Sequence, residues 1–111
     1  MAGREHLGEF EQIVLLAILR LRDEAYGVPI RREIEKRTKR LLSVGALYRT
    51  LDRLEEKSLI TSWFSDPTPE RGGRSKRYFR VEPRGMRALR ESREALAAMW
   101  DGLDIKATHG S

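Results

Sequence analysis

The hydrophobic residues of this chain recur mostly at spacings of three and four, a pattern typical of amphipathic helices rather than strands. The first segment with this spacing covers about Glu9 to Leu21. It is apolar around nearly its whole circumference, so we expect neighbours to cover it on more than one side. A second segment follows Tyr26-Gly27 and ends near Thr38. Its Ile30 and Ile34 are predicted to face inward.

A third helix is predicted after a short connection at residues 39–42. Ser43 begins it as an N-cap, because its hydroxyl can accept a hydrogen bond from a backbone N–H that the helix leaves unpaired. Its apolar side chains are predicted to form a buried stripe of Val44, Leu47, Leu51 and Leu54. Two helices joined by so short a connection make a helix-turn-helix, in which the 43–57 segment is the recognition helix.

Two short strands are predicted next, at Leu59–Ser65 and Lys76–Val81, because both segments are rich in β-branched and aromatic residues. The segment between them contains two prolines, a Gly pair and several cations, and it is too long for a tight hairpin turn. A helix, a strand, a long basic tip and a second strand, in this order, make a winged helix. The predicted fold class is therefore α+β, mostly α: a winged helix-turn-helix with a two-stranded wing.

A last helix is predicted from Pro83, a residue suited to a first helical turn, to about Gly102. Its seam of apolar and small side chains is Leu89, Ser92, Leu96, Met99 and Leu103. At ~1.5 Å per residue the helix would be about 30 Å long, more than a small core can cover. We therefore expect a long C-terminal dimerisation helix; the alternative is a helix folded back on its own domain. The predicted organisation is a winged-helix domain at 7–82, this helix at 83–103 and a disordered tail at 104–111.

The charge of the chain is concentrated in its middle. The 111 residues carry a net charge of +5, but residues 30–80 alone hold 14 Lys/Arg and 7 Asp/Glu, a net of +7. The rest of the chain is slightly acidic, which argues against a general basic coat. The positive field therefore coincides with the predicted recognition helix and wing, and it favours double-stranded DNA as the partner.

Small, basic and hydroxyl side chains share one face of the predicted recognition helix, where they suit close approach to a phosphate or a base edge. The alternative is an ordinary solvated face. The cations of the neighbouring wing favour DNA contact over solvation. The candidates are Ala46, Arg49, Thr50 and Arg53 on the helix and Arg71, Arg74 and Lys76 on the wing.

Other classes of function receive no support from the residues present. The chain has no Cys, and its two histidines, His6 and His109, lie near the ends, so we expect no metal site. No nucleophile–base pair, phosphate-cradling loop or paired carboxylates in a polar setting is visible, so we expect neither an enzyme nor a cofactor. The longest apolar run, Ile13 to Leu19, is too short to span a bilayer, and no secretory signal is visible. The predicted location is the cytoplasm.

Three large apolar side chains are candidates for an effector pocket at the predicted dimer seam: Phe10, Met99 and Trp100. Aromatic and Met side chains at helical spacing are more often core residues, so simple packing remains the alternative. A pocket of this kind would take a small aromatic molecule.

The sequence also resembles the PadR family of bacterial transcriptional regulators over roughly residues 7–103. The most specific part is the segment SVGALYRTLDRLEEK at residues 43–57. Supporting parts are Leu7-Gly8-Glu9-Phe10-Glu11, Tyr26-Gly27, and the wing Glu70-Arg71-Gly72-Gly73-Arg74 leading into Lys76-Arg77-Tyr78-Phe79. These pieces together, rather than any one of them, carry the resemblance.

The resemblance implies a homodimeric winged-helix repressor, of the short form with a single C-terminal helix. It implies that Ser43, Ala46, Tyr48 and Arg49, together with the wing, lie at the DNA. It also implies that some members sense small aromatic or drug-like molecules between the C-terminal helices and the first helix.

Two positions depart from the family pattern. Ser58 stands where the family usually has the Gly that follows the recognition helix, and Glu82 stands where it often has a Thr before the last helix. Both departures concern helix ends rather than DNA contact. The sequence thus predicts a repressor that binds palindromic DNA as a homodimer and is released by a small aromatic effector. The alternative is a winged helix used as a protein-interaction module.

Overall fold

A computed structural model describes residues 6–66 and 75–103 of the chain. Its elements are α1 (Glu9–Leu21), α2 (Gly27–Thr38), α3 (Val44–Glu56), β1 (Ile60–Phe64), β2 (Arg77–Val81) and α4 (Pro83–Trp100), with a 3₁₀ turn at Arg22–Glu24 after α1. The predicted winged helix-turn-helix is confirmed, and the predicted strands are each slightly longer than the observed ones. The predicted wing tip with Arg71 and Arg74, and the predicted tail with His109, lie outside the described residues.

The core lies between the first three helices and the sheet. Leu15 of α1, Ile30 of α2 and Leu51 of α3 are fully buried, as are Leu59 and Phe79 beside and within the sheet. Apolar spacing of three and four brings these side chains to the facing sides of the helices. The two predicted inward residues of α2, Ile30 and Ile34, are both buried.

The wing sheet is attached to the helices through backbone hydrogen bonds. Its two strands are antiparallel, and Ser62 pairs with Phe79 at the centre of the register. The Phe79 N–H donates to the carbonyl of Ala25, 2.9 Å away, so the segment before α2 extends the sheet edge. Because Phe79 is also fully buried, the sheet cannot shift without disturbing the core.

The start of α4 is packed tightly against the sheet. A Cβ at Gly85 would overlap the carbonyl oxygen of Leu59 and would stand 2.9 Å from Cγ1 of Val81, so only glycine fits here. Glu82, which precedes Pro83, makes no side-chain cap. Its carboxylate instead accepts a hydrogen bond from Thr61 Oγ1 at 2.9 Å.

The rest of α4 leaves the core. Residues 93–100 are all exposed in the single chain. Three of these side chains, Leu96, Met99 and Trp100, are large and apolar, and Leu103 just beyond the helix end is also large, apolar and exposed. This α4 apolar seam, as we call those four residues, has no cover within the described part of the chain. Leu16 and Leu19 of α1 are likewise exposed.

One predicted core residue is not in the core. Val44 was predicted to belong to the buried stripe of α3, but 51% of its surface is exposed. The stripe begins at Leu47 instead, and Val44, the first residue of the helix, lies at the open end of α3.

Candidate nucleic-acid interface

The start of α3 is an open surface with small side chains. Ser43 caps the helix: its Oγ accepts a hydrogen bond from the Ala46 N–H at 3.1 Å. Gly45 is exposed and Ala46 is half-buried, so the first turn carries little side-chain bulk. A helix N-terminus also carries a partial positive charge. This end of α3 can therefore come close to an anionic partner.

Arg49 lies one turn further along the same surface. It is exposed, and its Nη1 atom lies 3.4 Å from where a Cβ on Gly45 would stand, so the guanidinium folds back over the helix start. No ion pair with a carboxylate involves it among residues 6–66 and 75–103. Its five N–H donors are available for a phosphate or a guanine edge.

Tyr48 fixes the position of α3 against α2. Its phenol packs over the backbone of Gly27, at the beginning of α2. Tyr48 also lines a cleft between the two helices, together with Val28, Arg31 and Val44. The ring is half-buried, so it has a packing role and still reaches the surface.

Arg53 forms an ion pair within the chain. Its Nε lies 3.4 Å from Oε2 of Glu11, and the Nζ of Lys57 lies 3.0 Å from the same oxygen. Burial raises the pKa of Glu11, but the Gly8 N–H, Lys57 and Arg53 together lower it more, so the net pKa is below its ordinary value. Glu11 is therefore charged at neutral pH and offsets part of the positive field of Arg53.

Thr50 does not reach the surface. It was predicted to face DNA, but only 3% of it is exposed, since it lies with Leu47 and Leu54 on the side of α3 that faces the core. Its hydroxyl oxygen lies 3.5 Å from Nη2 of Arg53. Thr50 is therefore a core residue of α3 and does not belong to the candidate interface.

The described base of the wing combines aromatic rings with cations. Lys76 is exposed, and its Nζ lies 4.6 Å from the centroid of the Tyr26 ring. Tyr78 packs against Tyr26 and stacks on Trp63, with ring centroids 5.2 Å and 6.0 Å apart. On the far side, the guanidinium of Arg80 lies 5.6 Å from the Trp63 centroid. These contacts hold the two cations at fixed places on the wing.

Arg77 has a structural role that the sequence did not reveal. It belongs to the basic run after the wing tip, yet its guanidinium lies 3.3 Å from Oδ1 of Asp52 and 2.6 Å from Oε1 of Glu55. Its Nε donates to Ser62 Oγ at 3.2 Å. Arg77 thus joins β2 to α3, and it neutralises two carboxylates that would otherwise oppose an anionic partner.

The sequence analysis did not single out two exposed cations and one exposed leucine of the α2–α3 region. Arg32 and Lys39 are exposed, and neither has a carboxylate partner among the described residues. Leu41, two residues before the N-cap, is 97% exposed. The high charge of residues 30–80 was the available signal for the cations, but no sequence pattern marked Leu41.

The three candidate effector residues do not meet within the single chain. Phe10 packs against the buried core, whereas Met99 and Trp100 are exposed near the end of α4. A cleft of about 280 Å³ does lie between α1 and α4. Its lining residues are His6, Leu7, Gln12, Glu91, Ser92, Ala95 and Leu96.

The described residues provide neither a metal-binding cluster nor a membrane-spanning helix. Residues 6–66 and 75–103 contain no cluster of three His, Cys, Asp or Glu side chains that could hold a metal ion. Within the same ranges, no helix combines the length and the apolar character needed to cross a membrane.

The fold and its open, capped helix start define a winged helix-turn-helix protein. The sequence model described as "Transcriptional regulator PadR-like family" matches residues 15–91. The chain therefore belongs to this family, whose members are regulators of transcription rather than enzymes. A comparison with curated protein sequences gave no significant match.

Solved structures show the same fold. A PadR family transcription regulator from Clostridium difficile R20291 has a TM-score of 0.67 and 22% identity, over 92% of this chain and 99% of that one. A PadR family transcriptional regulator from Eggerthella lenta DSM 2243 has a TM-score of 0.64 and 26% identity, over 85% and 81%. RosR from H. salinarum has a TM-score of 0.65 and 21% identity, over 96% and 89%.

Proposed function

We propose that this chain is a sequence-specific DNA-binding regulator that represses transcription in the cytoplasm, binding palindromic DNA as a homodimer. The observation that carries the proposal is the start of α3. There, a capped helix N-terminus, small side chains and the unpaired Arg49 lie together within a segment of net charge +7. A structural helix needs no such surface, whereas entry into the major groove requires it.

Each part of the surface has a separate role in this proposal. Arg49 contacts a guanine edge, while Ser43, Ala46 and Tyr48 lie at the bases and the adjoining backbone. Lys76 contacts phosphates beside the groove, as do Arg71 and Arg74, which are assigned from the sequence alone. Arg53 contributes less, because Glu11 neutralises part of its charge.

The homodimer is proposed from the α4 apolar seam. Four large apolar side chains exposed at and just beyond one helix end are typical of a surface that another subunit covers. A two-fold dimer would present two copies of α3 to two half-sites about one helical turn apart.

A small aromatic effector is proposed as the signal that releases the DNA. It would bind near Trp100, between subunits, where stacking on the indole would quench fluorescence. The variants Trp100→Phe and Trp63→Phe, each titrated with a panel of aromatic molecules, separate the two indoles. Quenching that disappears only in Trp63→Phe would contradict a site at the dimer seam.

The DNA-binding experiment starts with selection of bound fragments from a random DNA pool. The log of the affinity for the selected site should fall steeply with the log of salt concentration, by about 0.9 per phosphate contacted. Arg71→Ala with Arg74→Ala should weaken binding to all sequences alike and flatten this slope. Arg49→Ala should also relax sequence preference, by about 1–3 kcal/mol if Arg49 makes a bidentate contact.

A charge-matched control is Arg90→Ala, since Arg90 is exposed on α4 and outside the basic segment. It should leave the affinity and the salt slope nearly unchanged. An affinity indifferent to salt and to all of these substitutions would favour the alternative, a winged helix that binds another protein.

A further inference from the structure

Val44 is an exposed apolar residue at the place where a recognition helix meets bases. It is the first residue of α3, directly after the cap Ser43. Recognition helices contact base edges mainly through their N-terminal residues. About half of the Val44 surface is open, so the side chain is available for a contact outside the chain.

A second valine is exposed on the same surface. Val28, in the first turn of α2, is 53% exposed and lines the same α2–α3 cleft as Val44, a cleft of about 340 Å³. The other side chains of the cleft include Arg31, Arg32 and Tyr48. Two valines are therefore exposed together within a basic surface. Isolated exposed apolar residues are common on protein surfaces, but two in one cleft indicate a contact site.

The surroundings of Val44 permit close approach of DNA. Its chain neighbours Ser43 and Gly45 are small and exposed. The Arg49 guanidinium lies near Gly45, with its Nη1 atom 3.4 Å from where a Cβ on that residue would stand. The valine can thus reach the floor of a groove without a bulky neighbour holding the backbone away.

Valine has no polar atom on its side chain, so it can recognise a base only by apolar contact. In the major groove the exposed apolar group that distinguishes one base pair from the others is the C5-methyl of thymine. We propose that Val44 contacts a thymine methyl in each half-site, with Val28 packed beside it, and so specifies thymine at one position. This inference rests on the proposed DNA binding and adds a base preference that Arg49 cannot provide.

The test removes only the methyl group from the DNA. Each thymine of the selected site is replaced in turn by deoxyuridine, which keeps every hydrogen-bonding group of the base. At one symmetric position, wild-type affinity should fall by about 4-fold per half-site, the equivalent of burying about one methyl group. The variant Val44→Ala should bind the thymine and deoxyuridine sites equally well.

The matched control is Arg49→Ala, which should weaken binding overall and keep the wild-type preference for thymine. Retention of the preference in Val44→Ala would overturn the assignment to Val44. Wild-type binding that is insensitive to deoxyuridine at every position would overturn the methyl contact while leaving the proposed function intact. Absence of any DNA binding would instead refute the proposed function itself.

Discussion

The hydroxyl oxygen of Tyr48 occupies the space in which a Cβ on Gly27 would stand. The Tyr48 side chain of the recognition helix therefore packs directly on the backbone of the helix before it at this point. The requirement for glycine at position 27 comes from this close approach, since its backbone is ordinary helix. The orientation of α3 depends on this contact, because Tyr48 also lines the cleft between the two helices.

Gly27→Ala should lower the free energy of unfolding by about 1–3 kcal/mol, as expected when a well-packed contact is overfilled. The loss should appear in urea denaturation even though alanine is the better helix former. Introducing the change in a Tyr48→Phe background should reduce the loss, because the overlapping oxygen is then absent. The control Gly45→Ala, at an open helix position, should not destabilise the chain. Equal losses from the two alanines would contradict the proposed role of the contact.

Ser58→Gly should stabilise the chain. Ser58 has φ 65°, and the hydrogen bonds from Ser58 N to Glu55 O and from Leu59 N to Leu54 O, at 2.9 Å and 3.0 Å, form a Schellman motif. Glycine adopts this conformation without the Cβ penalty, so we expect a gain of several tenths to about 1 kcal/mol in thermal or urea unfolding. Ser58→Ala keeps the Cβ and should give no such gain. DNA affinity should be unaffected by either change.

The stability of the chain should depend on Glu11 through pH. Because the pKa of Glu11 is lowered in the folded state, its contribution is complete above the unfolded-state pKa and is lost as the pH falls through the folded one. Glu11→Gln should therefore lower the free energy of unfolding by about 1–3 kcal/mol at pH 7. It should also make this free energy fall less steeply as the pH drops below about 5. Urea denaturation between pH 7 and pH 3 measures both effects. The exposed Glu56→Gln is the control, and parallel pH curves for Glu11→Gln and wild type would rule out this role.

Leu96→Glu should produce monomers. Leu96 is exposed in the single chain, so the substitution should leave the winged helix folded while placing a charge in the proposed subunit contact. Analytical ultracentrifugation should show a dimer for the wild type at micromolar concentration and a monomer for this variant. Ala98→Glu, on the opposite side of α4, should remain dimeric. A wild type that sediments only as a monomer would refute the homodimer.

The order and type of the helices and strands could be predicted from the sequence, because hydrophobic spacing and helix caps are local features of the chain. The bounds of α1 and α2 follow from hydrophobic spacing, and the start of α3 follows from the Ser43 cap. The left-handed conformation at Ser58 was also predictable, because the helix has to end before a strand that begins two residues later.

The misplacement of Thr50, a predicted site residue, and of Val44, a predicted core residue, has a different origin. The burial of Thr50 and the exposure of Val44 depend on where the neighbouring helices pass over α3, which the periodicity of α3 alone does not contain. Arg77 and Asp52 are 25 residues apart in sequence, and only the fold brings them together to join the sheet to α3. The residue types are enough to predict the positive charge of this surface. Which of the charged side chains are paired within the chain depends on the fold.

The exposure of the C-terminal half of α4 limits the stability of that part of the helix. A helical segment as short as residues 93–100, with no tertiary cover, is at best marginally stable in water. Whatever covers this segment acts as a ligand of the folded state, and its helicity should therefore follow mass action. If the cover is a second copy of the chain, dilution alone should unwind the end of α4 while the winged helix stays folded.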